Sequence, residues 1–382
     1  MLMPAHAEED SIRFSLLTCE PGEKVYELFG HTAIRYQNKS QQLDLVYNYG
    51  LFDFDSPHFI WRFVRGETDY QLGVVPYKYF EWMYSERGTA VIEQELNLTS
   101  AESARLDSLL RDNCLPENRV YRYNYFYDNC TTRARDRIEE ALGGIMFYPP
   151  GNEGTTYRGW VHTYTKDYPW VDFGISLCLG SEADKEIGQR EQMFLPANLQ
   201  WMFTHATVHG GGGHEMVRRL VKEEKEIILE SRTKPAEGNG FPLTPMQMAF
   251  FLLVMVVVVS LIEWYRCRVW WGIDLLLFAM QGFAGCVIAF LFFCSVHPTV
   301  GSNWLLVILN PIPLFYLPIM ICRVRKAKID LYDVLNIVVL TLFISFLPLI
   351  PQKISLVIVP LALILLIRSV LHILIAKARR GA

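Results

Sequence analysis

From Phe241 onward the chain is mostly Leu, Ile, Val, Phe and Met, broken into five apolar stretches at about 244–264, 271–294, 303–322, 331–350 and 354–375. Each is close to the roughly 20 residues that a helix needs to cross a bilayer core. Hydrocarbon offers no water to backbone N–H and C=O groups, so these stretches have to fold as helices packed on one another. The turns between them carry an orientation. Arg266 and Arg268 follow the first stretch, Arg323, Arg325, Lys326 and Lys328 the third, and Lys377, Arg379 and Arg380 the fifth. The alternate turns, around His297 and Gln352, hold only Lys353. Basic loops stay in the cytoplasm, which predicts a cytoplasmic C-terminus and an exported N-terminal half. Within the spans, Asp274, Gln281, Asn310 and Asn336 stand out as polar. Such residues mark functional sites or helix–helix hydrogen bonds, and the second reading is preferred for Gln281 and Asn336. Pro311, Pro313 and Pro318 predict a kink in the third span.

Residues up to about 240 have an ordinary globular composition, rich in Tyr, charge and turn formers, and are long enough to bury a sizeable core as one or two domains. No basic stripe points to nucleic acid. Residues 1–7 read MLMPAHA, and Ala5-His6-Ala7 has the small-x-small form of a cleavage site, as in the tail of a signal peptide. Four cysteines lie in this half, Cys19, Cys114, Cys130 and Cys178. With Cys130 as a free nucleophile, at most one disulfide can form among the other three. No CxxC or HExxH is present, so neither a metal nor another cofactor is expected. His205, His209 and His214 flank Gly210 to Gly213, without the cysteine or carboxylate spacing of a metal site.

Alternation predicts strands over 12–19, 32–36, 43–49, 69–76, 90–99 and 121–127, the second and third joined as a hairpin across 37–42. Helices are predicted over 100–114, capped by Ser100, and over 129–142, with Ala134, Ile138 and Leu142 on one face and Gly143-Gly144 as its stop. Residues 148–154 read as a loop, 183–193 and 217–229 as helical, and 222–240 as a charged stalk to the membrane.

Two short stretches carry chemistry. In Asp128-Asn129-Cys130-Thr131-Thr132, Cys130 opens a helix with Asn129 or Asp128 as its N-cap. Unpaired N–H groups and the helix dipole lower a thiol pKa there, and the same groups suit an oxyanion. Arg133 and Arg135 add positive potential. In Gly30-His31-Thr32-Ala33-Ile34-Arg35, His31 opens a strand behind a glycine, free to take the thiol proton. Asp44, Val46 and Asn48 share one face of the next strand. Asn48 is the first choice to orient the imidazole and Asp44 the second. Alternatives from structure alone are a buried inert cysteine, a strand-end histidine bonded to backbone, and an Asp44 that pairs with a surface base. Leu51 to Val64 is rich in aromatics, among them Phe52, Phe54 and Trp61. It borders an acyl groove or dips into the lipid interface, unless it is ordinary core.

The order of His31, a polar residue on the next strand, and Asn129-Cys130 about a hundred residues later resembles the circularly permuted papain-like proteins of the NlpC type, including lecithin:retinol acyltransferase. That family often has histidine as its second polar group, and Asn48 departs from this. A closer resemblance covers most of the chain. Leu17-Thr18-Cys19-Glu20-Pro21-Gly22, Phe29 to Arg35, Tyr47-Asn48-Tyr49-Gly50 with Phe52-Asp53-Phe54, Arg122-Tyr123-Asn124 and Asp128 to Arg133 are similar to the exported domain of Lnb-type lipoprotein N-acyltransferases. Met193-Phe194-Leu195-Pro196, His297-Pro298, Asn303 and Asn310-Pro311 are similar to later parts of that family.

The expected fold is therefore α+β. An exported papain-like domain at 8–165 follows the signal remnant at 1–7; an extension and stalk at 166–240 lead to an all-α domain of five transmembrane helices at 241–382. The resemblance implies a multi-pass protein of the bacterial inner membrane with a periplasmic N-terminal domain. It also implies transfer of a fatty acyl chain from a phospholipid, through a Cys130 thioester, to the α-amino group of the N-terminal diacylglyceryl-cysteine of lipoproteins. Phospholipid and diacylated lipoprotein are the expected partners. In that reading Cys130 is nucleophile, His31 base and acid, Asn129, Thr131 and Arg133 serve the oxyanion and positioning, and Phe52, Phe54, Trp61, His297 and Asn310 meet lipid. The competing readings are a membrane-anchored Cys-His amidase or peptidase of the envelope, and a non-catalytic scaffold.

Overall fold

The computed structural model describes residues 12–22, 24–52, 55, 57–210, 217–228 and 241–381. The residues that form the cleavage-site motif, Phe54, His214 and the stalk segment 229–240 lie outside the described residues. Two compact units are present. The first holds the chain up to Tyr157 and resumes at Glu186; the second takes Arg158–Lys185 and the described residues from Phe241 on. These boundaries cut the chain differently from its composition, because a polar segment folds with the apolar helices.

The first unit is built on an antiparallel sheet ordered β10-β5-β1-β2-β3-β4-β6. Its strands are β1 (Ile12–Cys19), β2 (His31–Asn38), β3 (Leu43–Leu51), β4 (Asp69–Pro76), β5 (Val91–Leu96), β6 (Val120–Arg122) and β10 (Val221–Ile228). The hairpin β2–β3 sets Ala33 opposite Asn48. Period-two alternation sends Phe14, Leu16, Ile34, Tyr36, Tyr47 and Tyr49 into one core, shared with Leu106 and Leu110 of helix Ser100–Cys114, Ala134 and Ile138 of helix Cys130–Ala141, and Leu199 and Phe203 of helix Pro196–His205. Leu17, Cys19, Ala33 and Val46 point the other way and meet Tyr77, Phe80 and Tyr84 of helix Tyr77–Arg87. A smaller sheet joins β7 (Ile145–Phe147), β8 (Thr207–His209) and β9 (Val217–Arg219).

Several elements differ from the sequence expectation. Residues 217–228 are strands, not a helix. The charged run Lys222 to Glu226 satisfies either period, and the open edge of β5 decides: Lys222 and Lys225 reach Glu95 and Glu93 across the pair, at 3.0 and 3.4 Å. The stalk reading is thus corrected for 222–228, which belong to the sheet. The aromatic run 121–127 leaves the sheet after Arg122, because Asn124 and Asp128 bridge to each other and the Asn124 side chain accepts from the amides of Phe126 and Tyr127. Residues 183–193 hold only the end of a 3₁₀ turn, Ser181–Asp184, and one short helix, Gln189–Gln192. Thr99 rather than Ser100 caps its helix, in a reciprocal box with Glu102. Cys19, Cys114 and Cys178 are unpaired thiols.

The second unit contains five helices long and apolar enough to cross a membrane: Pro245–Tyr265, Trp271–Cys294, Trp304–Arg325, Leu331–Leu349 and Ile358–Arg380. The third is broken between a 3₁₀ turn at Trp304–Val307 and a helix at Ile312–Arg325. The Asn310 side chain mends that break, donating to the Val307 carbonyl and accepting from the Ile312 amide, both at 3.2 Å. Gly285 of the second span allows this close approach, since a Cβ there would lie 2.2 Å from the Asn310 backbone carbon. Gln281 donates to the Ile308 carbonyl and Asn336 to Ser369, the helix–helix bonds preferred for them.

Asp274 belongs to a buried charge cluster. Arg368, fully enclosed in the fifth span, grips Asp274 with two bonds of 2.6 and 2.9 Å and also pairs with Glu263. His372 sits between Asp274 and Asp333, 3.1 Å from each. The cluster joins the first, second, fourth and fifth spans. At the other end of the bundle, the polar segment is clasped to the turns between spans. Asn303 donates to the Leu177 carbonyl and Gln352 to the Leu179 carbonyl, while Arg158 binds Asp184 and the carbonyls of Ser176, Leu179 and Gly180. Phe173 and Leu177 pack into the apolar core of the bundle.

Charges in so dry a place are tolerated only as partners. Replacing Arg368 by Met leaves Glu263 and Asp274 facing each other. We expect a loss of about 3–5 kcal/mol in unfolding experiments in detergent. Asn336→Ala, which removes one interhelical bond, should cost about 1 kcal/mol.

Candidate active site

The position of Cys130 follows from its neighbour. Asn129 has extended backbone and is buried, and its side-chain oxygen accepts from the amides of Thr131 and Thr132 at 2.8 and 2.9 Å. Its side-chain NH₂ donates to the carbonyls of Tyr125 and Phe194 at 2.7 and 2.9 Å. The Thr132 hydroxyl oxygen in turn accepts from the Asn129 amide at 2.8 Å, completing a capping box. Cys130 is the first residue of the helix that results, and the Thr131 hydroxyl lies 3.8 Å from its sulfur. Thr131 also bonds Thr32 of β2 at 3.1 Å, tying the helix start to the strand that opens with His31.

His31 Nε2 lies 3.3 Å from Asn48 Oδ1. With that nitrogen committed, Nδ1 is left for the thiol. Asp44, the second choice as orienter, is engaged elsewhere: both its oxygens bind Arg35, at 2.6 and 2.9 Å, and Arg35 continues to Glu93. This ion-paired group stands two register positions along β3 from Val46 and four from Asn48, away from the imidazole.

Burial by itself pushes the Cys130 thiol up. The charge of His31, the His31 hydrogen bond, the Thr32 backbone amide and the Thr131 hydroxyl outweigh it and bring the pKa from 9.0 down to about 7. For His31, burial opposes the charged ring, but the thiolate and the bonds to Cys130 and Asn48 move it upward overall. The two groups therefore favour a thiolate–imidazolium pair. Cys19, opposite His31 on β1, shows the contrast: its thiol is pushed up to about 12, mainly by burial.

The helix N-terminus offers fewer free donors than the sequence implies, because the amides of Thr131 and Thr132 are held by the cap. That leaves the Cys130 amide and a residue that sequence reasoning missed. Tyr121 is buried, and its hydroxyl has no hydrogen-bond partner among the described residues. Gly50 locates it. That residue has φ +86°, and a Cβ there would lie 3.6 Å from the Cys130 Cβ and 3.9 Å from the Tyr121 hydroxyl. The missing side chain leaves a slot between thiol and phenol. Burial first, and then the charge of Cys130, push the Tyr121 pKa upward, so the hydroxyl stays a neutral donor. Arg133 binds both oxygens of Asp128 and lies over the Tyr121 ring, 3.6 Å from its centroid. It packs on that ring, and its side-chain hydrogen bonds among the described residues go to Asp128. The run 121–127 reads as aromatic in one dimension, and only the end of β6 brings Tyr121 beside the thiol.

An aromatic run leads outward. Tyr70 stacks on Tyr123 at 4.1 Å, Phe52 meets Tyr70 at 4.9 Å, and Phe59 stacks on Phe52 at 5.6 Å. Tyr70 and Tyr123 both feel the Cys130 charge. Helix Phe59–Arg65 then exposes Ile60, Trp61 and Phe63. Phe54 lies outside the described residues. His297 and Asn310 belong to the second unit, the first in the turn before the third span and the second at its break. Of the other histidines, His205 bonds the Trp201 carbonyl and His209 packs on Phe147.

Two family models match the chain. The Lnb N-terminal periplasmic domain covers residues 5–161. The Lnb transmembrane domain covers residues 236–380. No curated protein and no solved structure matches.

Only the thiolate is alkylated by iodoacetamide, so the rate rises with pH through the thiol pKa. A midpoint near pH 7 is expected for Cys130, read by peptide mass spectrometry. In His31→Ala the lowering charge and bond are gone while burial stays, so the midpoint should move up, to 9.0 or beyond. Asn48→Ala should move it by less than His31→Ala does.

Proposed function

The chain belongs to the Lnb family of lipoprotein N-acyltransferases, both of whose domains it carries as a multi-pass membrane protein, and from that premise we propose its chemistry. It transfers a fatty acyl chain from a phospholipid to the α-amino group of the diacylglyceryl-cysteine that begins a lipoprotein, with Cys130 as the intermediate carrier. The observation that carries this reading is the half-buried thiol at a helix start, lowered to about 7 beside a His31 that lies 3.3 Å from Asn48.

In the first half-reaction the Cys130 thiolate attacks the ester carbonyl carbon. The carbonyl oxygen, now negative, enters the slot beside Gly50, where the Tyr121 hydroxyl and the Cys130 amide donate to it. The intermediate collapses, the C–O bond to glycerol breaks, and the His31 imidazolium gives its proton to the departing oxygen. A lysophospholipid leaves and a thioester remains. In the second half-reaction the lipoprotein amine attacks the thioester. Neutral His31 takes the amine proton, the amide forms, and the thiolate is regenerated. Acid–base help of this kind typically contributes about 10²–10⁴ in rate.

Water competes with the amine for the thioester, so the site has to stay dry. Burial of Asn48, Asn129 and Tyr121 around the thiol supports this. Phe52 and Trp61, on the aromatic run and the exposed helix, are the proposed acyl-contact residues, with Phe54 in the same segment. His297 and Asn310 are proposed to meet lipid from the second unit. The orientation that the basic turns imply, with the thiol-bearing domain periplasmic and the C-terminus cytoplasmic at the inner membrane, makes the outer leaflet the proposed source of donor and acceptor.

Purified protein incubated with phospholipid carrying a labelled acyl chain should acquire label that neutral hydroxylamine releases, and Cys130→Ala should acquire none. Absence of label on the unaltered protein overturns the thioester. Tyr121→Phe should lower kcat by about 10²–10³, as loss of one oxyanion donor does. The pH midpoint of Cys130 alkylation should stay near 7 in that variant, which separates oxyanion stabilisation from thiol activation.

A further inference from the structure

Three arginines converge at the end of the bundle away from the clasped polar segment. Arg268 follows the first span, Arg325 ends the third, and Arg379 lies at the end of the fifth. With Trp270, Trp271 and Ile375 they line a cavity of about 560 Å³. Two further arginines near this end are neutralised: Arg323 approaches Asp330, and Arg368 is held by Glu263 and Asp274. Among the described residues, Arg268, Arg325 and Arg379 have no carboxylate partner. Arg379 uses only Nε, donating to the Cys267 carbonyl at 2.8 Å, and its terminal nitrogens remain available. The Arg325 guanidinium sits 5.7 Å from the centroid of the Trp271 ring. The site is thus a concave pocket with three positive groups that lack a carboxylate partner among the described residues, lined also by two tryptophans at the edge of the apolar spans. Tryptophan favours that interfacial depth, and the basic headgroup sites of membrane proteins lie between helix ends there.

We propose that this pocket binds the phosphate-bearing headgroup of an anionic phospholipid from the adjoining leaflet. The three guanidinium groups supply charge and N–H donors to the phosphate oxygens, and the exposed Trp270 and Trp271 with the outward faces of the spans receive the acyl chains. Charge complementarity points to a phosphate diester, and the apolar continuation distinguishes a lipid from a free ion. The site stands at the opposite end of the spans from the clasped segment, and the inference does not rest on the chemistry proposed for Cys130.

The full-length protein in mild detergent is titrated with phosphatidylglycerol, phosphatidylcholine or inorganic phosphate, and bound molecules are counted by native mass spectrometry. We expect one phosphatidylglycerol to be held about tenfold more tightly than phosphatidylcholine, with inorganic phosphate unable to displace it at equal concentration. The variant R268Q/R325Q/R379Q should lose that preference. The variant K326Q/K328Q/K377Q, which removes the same charge at the same end, should keep it. Equal retention of both lipids by the unaltered protein overturns the proposal, whether or not any variant folds. So does equal loss in the two variants, which means a diffuse field, and so does displacement by inorganic phosphate, which means a free-ion site. The single substitution R325Q, made in case the triple variant misfolds, should lower the preference several-fold.

Discussion

One buried carboxamide organises the candidate site. Asn129 uses both its oxygen and its nitrogen, closing the helix start with the first and holding two loop carbonyls with the second. A buried amide left unsatisfied is costly, so all four bonds have to form together. Once they do, the thiol next to it has one place to be. The tie from Thr131 to Thr32 then brings β2, and with it His31, to the same place. The reactive pair lies ninety-nine residues apart in the chain and is set by local capping plus one cross-element bond.

Much of this was legible in one dimension. Each of the strands β1 to β5 and the helix of Cys130 overlaps an alternating or amphipathic run, because both sides of the sheet are filled by period-two apolar residues. The roles suggested for His31 and Asn48 rested on the same alternation, and the structure places the two in contact. The places where sequence reasoning failed are those where a distant element decides. Residues 217–228 fit either period until the free edge of β5 claims them. Asp44 and Asn48 share a face, and only Arg35, paired onward to Glu93, shows that one of them has other work. Tyr121 could not be picked out of seven aromatic and polar residues in a row without knowing where β6 ends.

The spans repeat the lesson. Length and hydropathy sufficed to identify five helices. Arg368 and His372, one turn apart on the last span, were not singled out beforehand, although their spacing puts both on one helix face. Their carboxylate partners come from three other helices, so no local pattern shows that they will be matched.

The interrupted second unit has a consequence for how the protein can be divided. Because Arg158–Lys185 folds with the helices, the polypeptide passes from one unit to the other three times. A single cut in the segment before Phe241 leaves the cysteine-bearing half joined by peptide bonds to Arg158–Lys185, and the packing of that segment on the spans, rather than a covalent link, then retains it. A truncated secreted form ending there would carry Phe173 and Leu177 without the apolar neighbours they bury against, and would be prone to clump. Evolution is under the same restriction: this enzyme half cannot be traded between anchors by a single gene fusion.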